Sequence, residues 1–308
     1  MDHNTETVLI SGATGFIGSK LFDFLAAKGY RVRGLTRNRK TTNSNFYLWN
    51  PEEGFLDERA LDNVSCIINL AGENIASQRW TKNYKEKIRL SRIASTKLLC
   101  KKALEHPNCH LKTFISASAV GIYGDTGNDT VTENSPTGRG FLSSVCKSWE
   151  SALSLLDKGK IRVIRARIGM VLSPEGGALK KMLPLFKFGV GAVMGSGRQY
   201  VSWIDIRDLM RAFEFIIEND KLCGAVNLVS PFPVTNREFS KALAVALRRP
   251  LFLSMPKPAV SVLFGEMGRE LLLYSIRAIP QALKEQGFVF EYPLISDSLN
   301  TLLIKSSS

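Results

Sequence analysis

The chain has 308 residues, 44% of them hydrophobic and 22% charged, which excludes global disorder and suits one large domain or two sharing a core. Its 41 Lys and Arg against 28 Asp and Glu leave a net charge of +13, which invites a polyanionic partner without choosing among nucleic acid, acidic membrane and phosphorylated small molecule. No run approaches the roughly 18 apolar residues of a membrane span, the polar start MDHNTETVLIS reads as neither signal nor transit peptide, and five scattered cysteines without a CxxC pair fit a reducing compartment. A cytoplasmic protein is expected.

In chain order, Thr7–Ser11 (TVLIS) reads as a short buried strand, 12–18 as a glycine-punctuated turn, and 19–28 as a helix from the spacing of Leu21, Phe22, Leu25 and Ala26. Gly29 stops that helix, and Arg31–Thr36 alternates as a second strand. Strand, glycine turn, helix and strand at this length form a βαβ unit and imply a parallel, doubly wound sheet. Further strands are predicted at 66–70, 113–116, 161–168, 201–204 and 226–229, with helices at 83–104, 140–156 and 208–218. Beyond Pro231 the pattern becomes shorter and proline-punctuated, as in a smaller appended lobe, and 305–308 form a polar tail. The expected organisation is α/β: a Rossmann-like doubly wound parallel sheet over 1–170, to which 201–229 returns, and a small C-terminal α+β substrate lobe over 171–308.

The turn Gly12-Ala13-Thr14-Gly15-Phe16-Ile17-Gly18 carries the first functional signal. A dinucleotide pyrophosphate needs backbone N–H groups at a helix N-terminus with no side chain in the way. Gly12 permits the tight turn, Gly15 the close approach, and Gly18 the packing of helix on strand. The second strand ends in Thr36-Arg37-Asn38-Arg39-Lys40, where an acidic residue would accept from the ribose 2′-hydroxyl of NAD. Arg37 stands there instead and suits the 2′-phosphate of NADP(H), the expected cofactor.

The segments SGATGFIGSKL (11–21), INLAGENI (68–75), SASAVGIYG (116–124), VCKSWE (145–150), GGALKKML (176–183), GSGRQYVSWI (195–204) and GFVFEYP (287–293) resemble the short-chain dehydrogenase/reductase superfamily. The likeness is to its extended, atypical branch, in the subgroup described as epimerase-family proteins or nucleoside-diphosphate-sugar epimerases. It implies a cofactor site including Leu70, Ala71, Gly72, Gly169 and Lys147, and an oxidoreductase or epimerase acting on a nucleotide-linked or phosphorylated small substrate. Active superfamily members use a Ser or Thr, a Tyr and a Lys four residues later. Lys⁺ there lowers the phenol pKa from ~10, and the i, i+4 spacing puts both groups on one helix face.

Lys147 fits the Lys position, but Ser143 stands where the Tyr belongs. Ser118 and Tyr123 are the remaining catalytic candidates, Ser118 matching only if one residue is inserted before Tyr123. Cys146 is a weaker candidate, because adjacent helix positions face different ways. Glu73, Arg79, Trp80, Gln199 and Trp203 are candidate substrate contacts. The alternative is an NADP(H)-binding regulatory or sensor protein that has lost the tyrosine. Residues 79–102 hold nine basic side chains and one acid, Glu86, but no recognition motif, so no specific nucleic acid is expected. No metal and no membrane are expected; a homodimer is compatible with the sequence.

Overall fold

The computed structural model describes residues 6–40, 43–156 and 160–304; the N-terminal start and the polar tail at 305–308 lie outside the described residues. Strand β1 (Thr7–Ser11) runs through the glycine turn into α1 (Phe16–Ala27), and β2 (Arg31–Thr36) returns parallel to β1 with Thr7 opposite Arg31. Next come β3 (Phe46–Asn50), parallel to β2, and the short antiparallel β4 (Phe55–Leu56). The chain then crosses to β5 (Val64–Asn69) on the other side of β1, followed by α2 (Lys82–Glu105) and β6 (Thr113–Ala119). After the short β7 (Thr130–Val131), α3 (Phe141–Ser151) leads to β8 (Arg162–Ile168).

A first excursion from the sheet contains β9 (Met170–Leu172), α4 (Gly177–Lys187), β10 (Ala192–Met194), β11 (Tyr200–Val201) and β12 (Trp203–Asp205). The chain comes back through α5 (Ile206–Glu218) and β13 (Gly224–Leu228), which pairs parallel to β8. It ends in β14 (Val234–Thr235), α6 (Asn236–Ala246), β15 (Leu253–Met255), α7 (Lys257–Gly268), β16 (Arg277–Ala278), α8 (Gln281–Glu285) and α9 (Ile295–Ile304).

The eight-stranded sheet has the order β13-β8-β6-β5-β1-β2-β3-β4. Its winding direction reverses between β1 and β5, which leaves a crevice at their carboxyl ends, the usual ligand position in an open α/β sheet. Both faces are covered, so β1 is buried at all five positions and β5 reads as a near-continuous apolar run. One face packs Val8, Ile10, Leu21, Ile68 and Ile164 with Leu209, Phe213 and Ile216 of α5; the other packs Leu9, Leu35, Ile67, Leu99 and Phe114. Residues 206–228 thus supply a helix and a strand to the main layer structure. The lobe has its own core of Leu172, Leu179, Leu183, Phe186, Trp203, Phe239, Leu243 and Leu299.

Several boundaries differ from expectation. Segment 201–204 is two short strands broken at Ser202, whose hydroxyl donates to Ile276 and accepts from the Ala278 N–H. The helix expected over 140–156 ends at Ser151 and continues as turns to Leu156. Phe46–Asn50, to which the sequence reading gave no element, widens the sheet beside the Arg37 loop.

Candidate functional site

The glycine turn is built by close backbone approaches. Gly12 has φ +69°, and a Cβ there would lie 2.9 Å from the carbonyl carbon of Leu70, across the crevice. A Cβ on Gly18 would fall 2.1 Å from the Gly12 carbonyl oxygen, so only glycine lets α1 sit this close to the turn. Gly15 caps α1 in extended conformation with no side-chain hydrogen bond, which leaves the first N–H groups of the helix without a side-chain partner. Ala13 is buried beneath, while Thr14 and Gly15 are exposed and Phe16 and Ile17 half-buried. The Phe16 ring packs on Gly176, where a Cβ would be 2.1 Å from it, and Lys20 pairs with Glu175 at 2.7 Å. The 173–177 turn is thereby held across the start of α1.

Thr14 and Arg37 share one cleft. It encloses about 570 Å³ and is lined by Thr14, Thr36, Arg37, Asn38, Asn43 and Phe46. The buried Thr36 hydroxyl accepts from the Asn38 N–H at 3.1 Å and fixes the strand end. Arg37 is exposed and has no ion-pair partner among the described residues. This is a cationic pocket next to an open helix N-terminus, a geometry suited to a phosphorylated ribose.

Leu70, Ala71 and Gly72 form the opposite wall at the end of β5, and a buried polar chain holds them. The Ser11 hydroxyl donates to Oδ1 of Asn69 at 2.6 Å, Asn69 donates to Thr96 Oγ1 at 2.8 Å, and Trp149 Nε1 donates to the same oxygen at 3.1 Å. Asn69 Oδ1 also accepts from the Ala71 N–H at 3.3 Å. Beside Gly72 lies a residue the sequence reading counted only as part of a basic run. The Arg92 guanidinium donates to the Ile88 carbonyl at 2.9 Å and stacks 5.0 Å from the Trp149 ring. It has no carboxylate in hydrogen-bond reach among the described residues, and burial lowers its pKa. A Cβ on Gly72 would be 3.1 Å from Arg92 Cζ.

The other end of the site is closed. Of the three predicted catalytic side chains only Lys147 is exposed, and its ammonium donates to the Gly138 carbonyl at 2.8 Å. Ser143 is buried and its hydroxyl reaches the carbonyls of Ile122 (2.9 Å) and Gly138 (2.8 Å). Ser118 donates to Glu150 Oε1 at 2.7 Å, and Glu150 clamps Arg167 with two bonds of 3.0 Å. Arg167 donates in turn to the Tyr123 hydroxyl at 3.0 Å, which donates to Asn227 Oδ1 at 2.8 Å. Tyr123 is only 3% exposed, and burial raises its pKa. In this arrangement the Tyr123 and Ser118 hydroxyls are both engaged within an internal network. Burial likewise lifts the Cys146 thiol to about 11, so it packs as a small apolar group.

Three more expectations change. Trp203 is fully buried in the lobe core with Nε1 donating to the Phe232 carbonyl, so it cannot meet a substrate there. Gln199 is buried and donates to the Met194 and Leu272 carbonyls, a strut rather than a contact. Gly169 is glycine because a Cβ would lie 2.7 Å from both the Ser202 oxygen and Val229, which is strand packing rather than cofactor approach.

The remaining candidates stay near an opening. Glu73 pairs with Lys87 at 3.3 Å, and Arg79 donates to the Leu263 carbonyl of α7. Trp80 stacks edge-on against Phe141, 4.8 Å between centroids, beside a 380 Å³ cleft that also includes Lys85 and Glu266. Glu270, missed from sequence, reaches from the lobe to accept from the N–H groups of Phe141 (2.7 Å) and Leu142 (2.8 Å). It fills the N-terminus of α3, the helix that bears Lys147. Along α2 the basic run is largely answered locally: Lys85 by Glu266, Lys87 by Glu73, Arg89 by Glu86, Lys101 by Glu105 and Lys102 by Glu58.

Known proteins resemble this chain in sequence and fold. Residues 8–228 match the NAD-dependent epimerase/dehydratase family, and 255–302 match a domain of unknown function (DUF1731). The chain is 44% identical over 292 residues to Epimerase family protein Mb2239 of Mycobacterium bovis, spanning 95% of this chain and 96% of that one. It is 36% identical over 303 residues to Epimerase family protein YfhF of Bacillus subtilis, spanning 96% and 97%. The crystal structure of human epimerase family protein SDR39U1 (isoform 2) with NADPH aligns with a TM-score of 0.88 at 30% identity, covering 97% of this chain and 99% of the human one.

Proposed function

The chain belongs to the NAD-dependent epimerase/dehydratase family, and from that premise we propose that it binds NADP(H) across the β1–β5 crevice and acts as an oxidoreductase or epimerase on a nucleotide-linked or phosphorylated small substrate. The observation that carries the reading is the shared cleft of Thr14, in the glycine turn, and Arg37. NADPH in the human relative supports the choice of cofactor.

When bound, the nicotinamide supplies hydride exchange. The chain's own residues bind and orient. The open N-terminus of α1 takes the pyrophosphate, Arg37 takes the 2′-phosphate, and the Lys147 ammonium meets ribose hydroxyls. Arg92, a cation without a carboxylate beside Gly72, adds a second positive charge at the crevice wall. The proton that accompanies hydride transfer cannot follow the usual Tyr-to-Lys route, because Ser143 is packed and Tyr123 is engaged. Of the predicted catalytic side chains, Lys147 is the exposed one.

That same packing favours a second reading, an NADP(H)-binding regulatory or sensor protein without turnover. Loss of NADPH absorbance against a panel of carbonyl compounds and sugar nucleotides separates the two. Turnover supports the enzyme; tight NADPH binding with thermal stabilisation and no turnover supports the sensor. Failure to bind either NADPH or NADP⁺ contradicts both.

A further inference from the structure

Among the described residues, positive charge without an ion-pair partner is found at Arg37, at Lys82, Arg92 and Lys97 of α2, and as a broad group on the lobe. Residues 176–204 and 239–265 together hold eight Lys and Arg and no Asp or Glu. The β10 and β15 strands, one from each segment, pair in parallel with Ala192 opposite Leu253. The residues that lead into them therefore emerge side by side at one end of this small sheet.

On the first lead-in stand Leu185, Lys187, Phe188 and Val190; on the second, Arg248, Arg249 and Phe252, followed by Leu253. Phe252 is 86% exposed and Phe188 83%, the two most exposed large apolar side chains among the described residues. Lys187, Arg248 and Arg249 have no ion-pair partner among the described residues.

These side chains are displayed on held backbone. The Phe188 N–H donates to Pro184, Gly189 to Phe186 and Val190 to Leu185, while the buried Phe186 ring packs under Gly191. Arg248 and Arg249 donate through their N–H groups to Val245 and Ala244. A fixed apolar ridge rimmed by cations that make no ion pair among the described residues costs solubility unless something covers it.

We propose that this ridge docks the protein on an anionic lipid surface, with Phe188 and Phe252 entering the headgroup region and Lys187, Arg248 and Arg249 meeting lipid phosphates. The charge argues against a second copy as occupant, because two such ridges repel each other. Aliphatic Leu185, Val190 and Leu253 argue for acyl chains over nucleic-acid bases, which stack on aromatic rings. The expectation of no membrane rested on the lack of an apolar span, which does not bear on surface contact.

The test is sedimentation of the full chain with phosphatidylcholine vesicles, with and without phosphatidylglycerol, at low and high salt. The expected result is binding only to the anionic vesicles, weakened by salt. Phe188→Ser with Phe252→Ser should reduce affinity at least tenfold, and Arg248→Gln or Lys187→Gln about fivefold each. NADPH affinity serves as the fold control and should not change in any variant, so the lipid result is independent of the cofactor reading. Equal binding to both vesicle types, or variants that bind like the parent, overturns the proposal. A concentration-dependent dimer abolished by the two serines, without vesicle binding, overturns it in favour of a homodimer interface.

Discussion

Two glycine-capped helix N-termini are treated in opposite ways. At α1 the cap is Gly15 with no side-chain hydrogen bond, and among the described residues Arg37 in the adjoining cleft has no ion-pair partner. At α3 the cap is Gly140, and Glu270 from the lobe fills the position, accepting from two backbone N–H groups. The same division runs through the side chains: open and cationic at the glycine turn, internally satisfied from Ser118 through Glu150 and Arg167 to Tyr123 and Asn227. Among the described residues, the α1 end leaves donors without side-chain partners, while the α3 end spends them.

The comparison breaks most visibly if the closed end proves dispensable. Glu150→Ala strands the Arg167 charge in a buried network, and thermal or urea unfolding should register a loss of about 3–5 kcal/mol. NADPH affinity of the surviving folded fraction should stay within a few-fold of the parent, because the variant lies away from α1. If stability is unchanged, the network is not structural.

Gly18→Ala attacks the open end. Its Cβ would fall 2.1 Å from the Gly12 carbonyl oxygen, so the turn must shift, at a cost of about 1–3 kcal/mol in stability. Fluorescence titration should find NADPH binding reduced by far more than stability alone explains.

Ser143→Tyr sharpens the contrast from the other side. With the Ile122 and Gly138 carbonyls against the serine hydroxyl, the added ring overpacks the site and should lower stability by roughly 1–3 kcal/mol without producing reductase activity. Activity gained in this variant would mean that the turn opens readily.

The smallest effect is chemical. Burial lifts the thiols of Cys66 and Cys146 to about 12 and about 11, whereas Cys223 is exposed. A thiol reagent at mildly alkaline pH should label Cys223 in the native protein and reach Cys66 and Cys146 only on unfolding.

The open end was legible because its requirements are local. Gly12, Gly15 and Gly18 sit within one turn, and Arg37 ends the very next strand, so pattern and spacing carry the geometry. The closed end was not, because its partners are far apart in the chain: Tyr123 and Asn227 by 104 residues, Phe141 and Glu270 by 129. A tyrosine in a turn reads the same from sequence whether its hydroxyl is free or spent. Trp203 illustrates the converse, since a motif resemblance suggested a substrate contact where lobe packing buries the ring completely. The partners of the basic run on α2 were not legible for a third reason: Glu58, Glu73 and Glu266, which pair with Lys102, Lys87 and Lys85, lie outside it.

The most direct measurement is the ratio of NADPH to NADH affinity in the parent and in Arg37→Ala. A charge-assisted bond to the 2′-phosphate is worth about 1.5–3 kcal/mol, so the parent should favour NADPH by roughly ten- to a hundredfold. Arg37→Ala should erase that preference while leaving NADH affinity nearly unchanged. Equal binding of the two cofactors by the parent, or a preference that survives the substitution, would contradict the account.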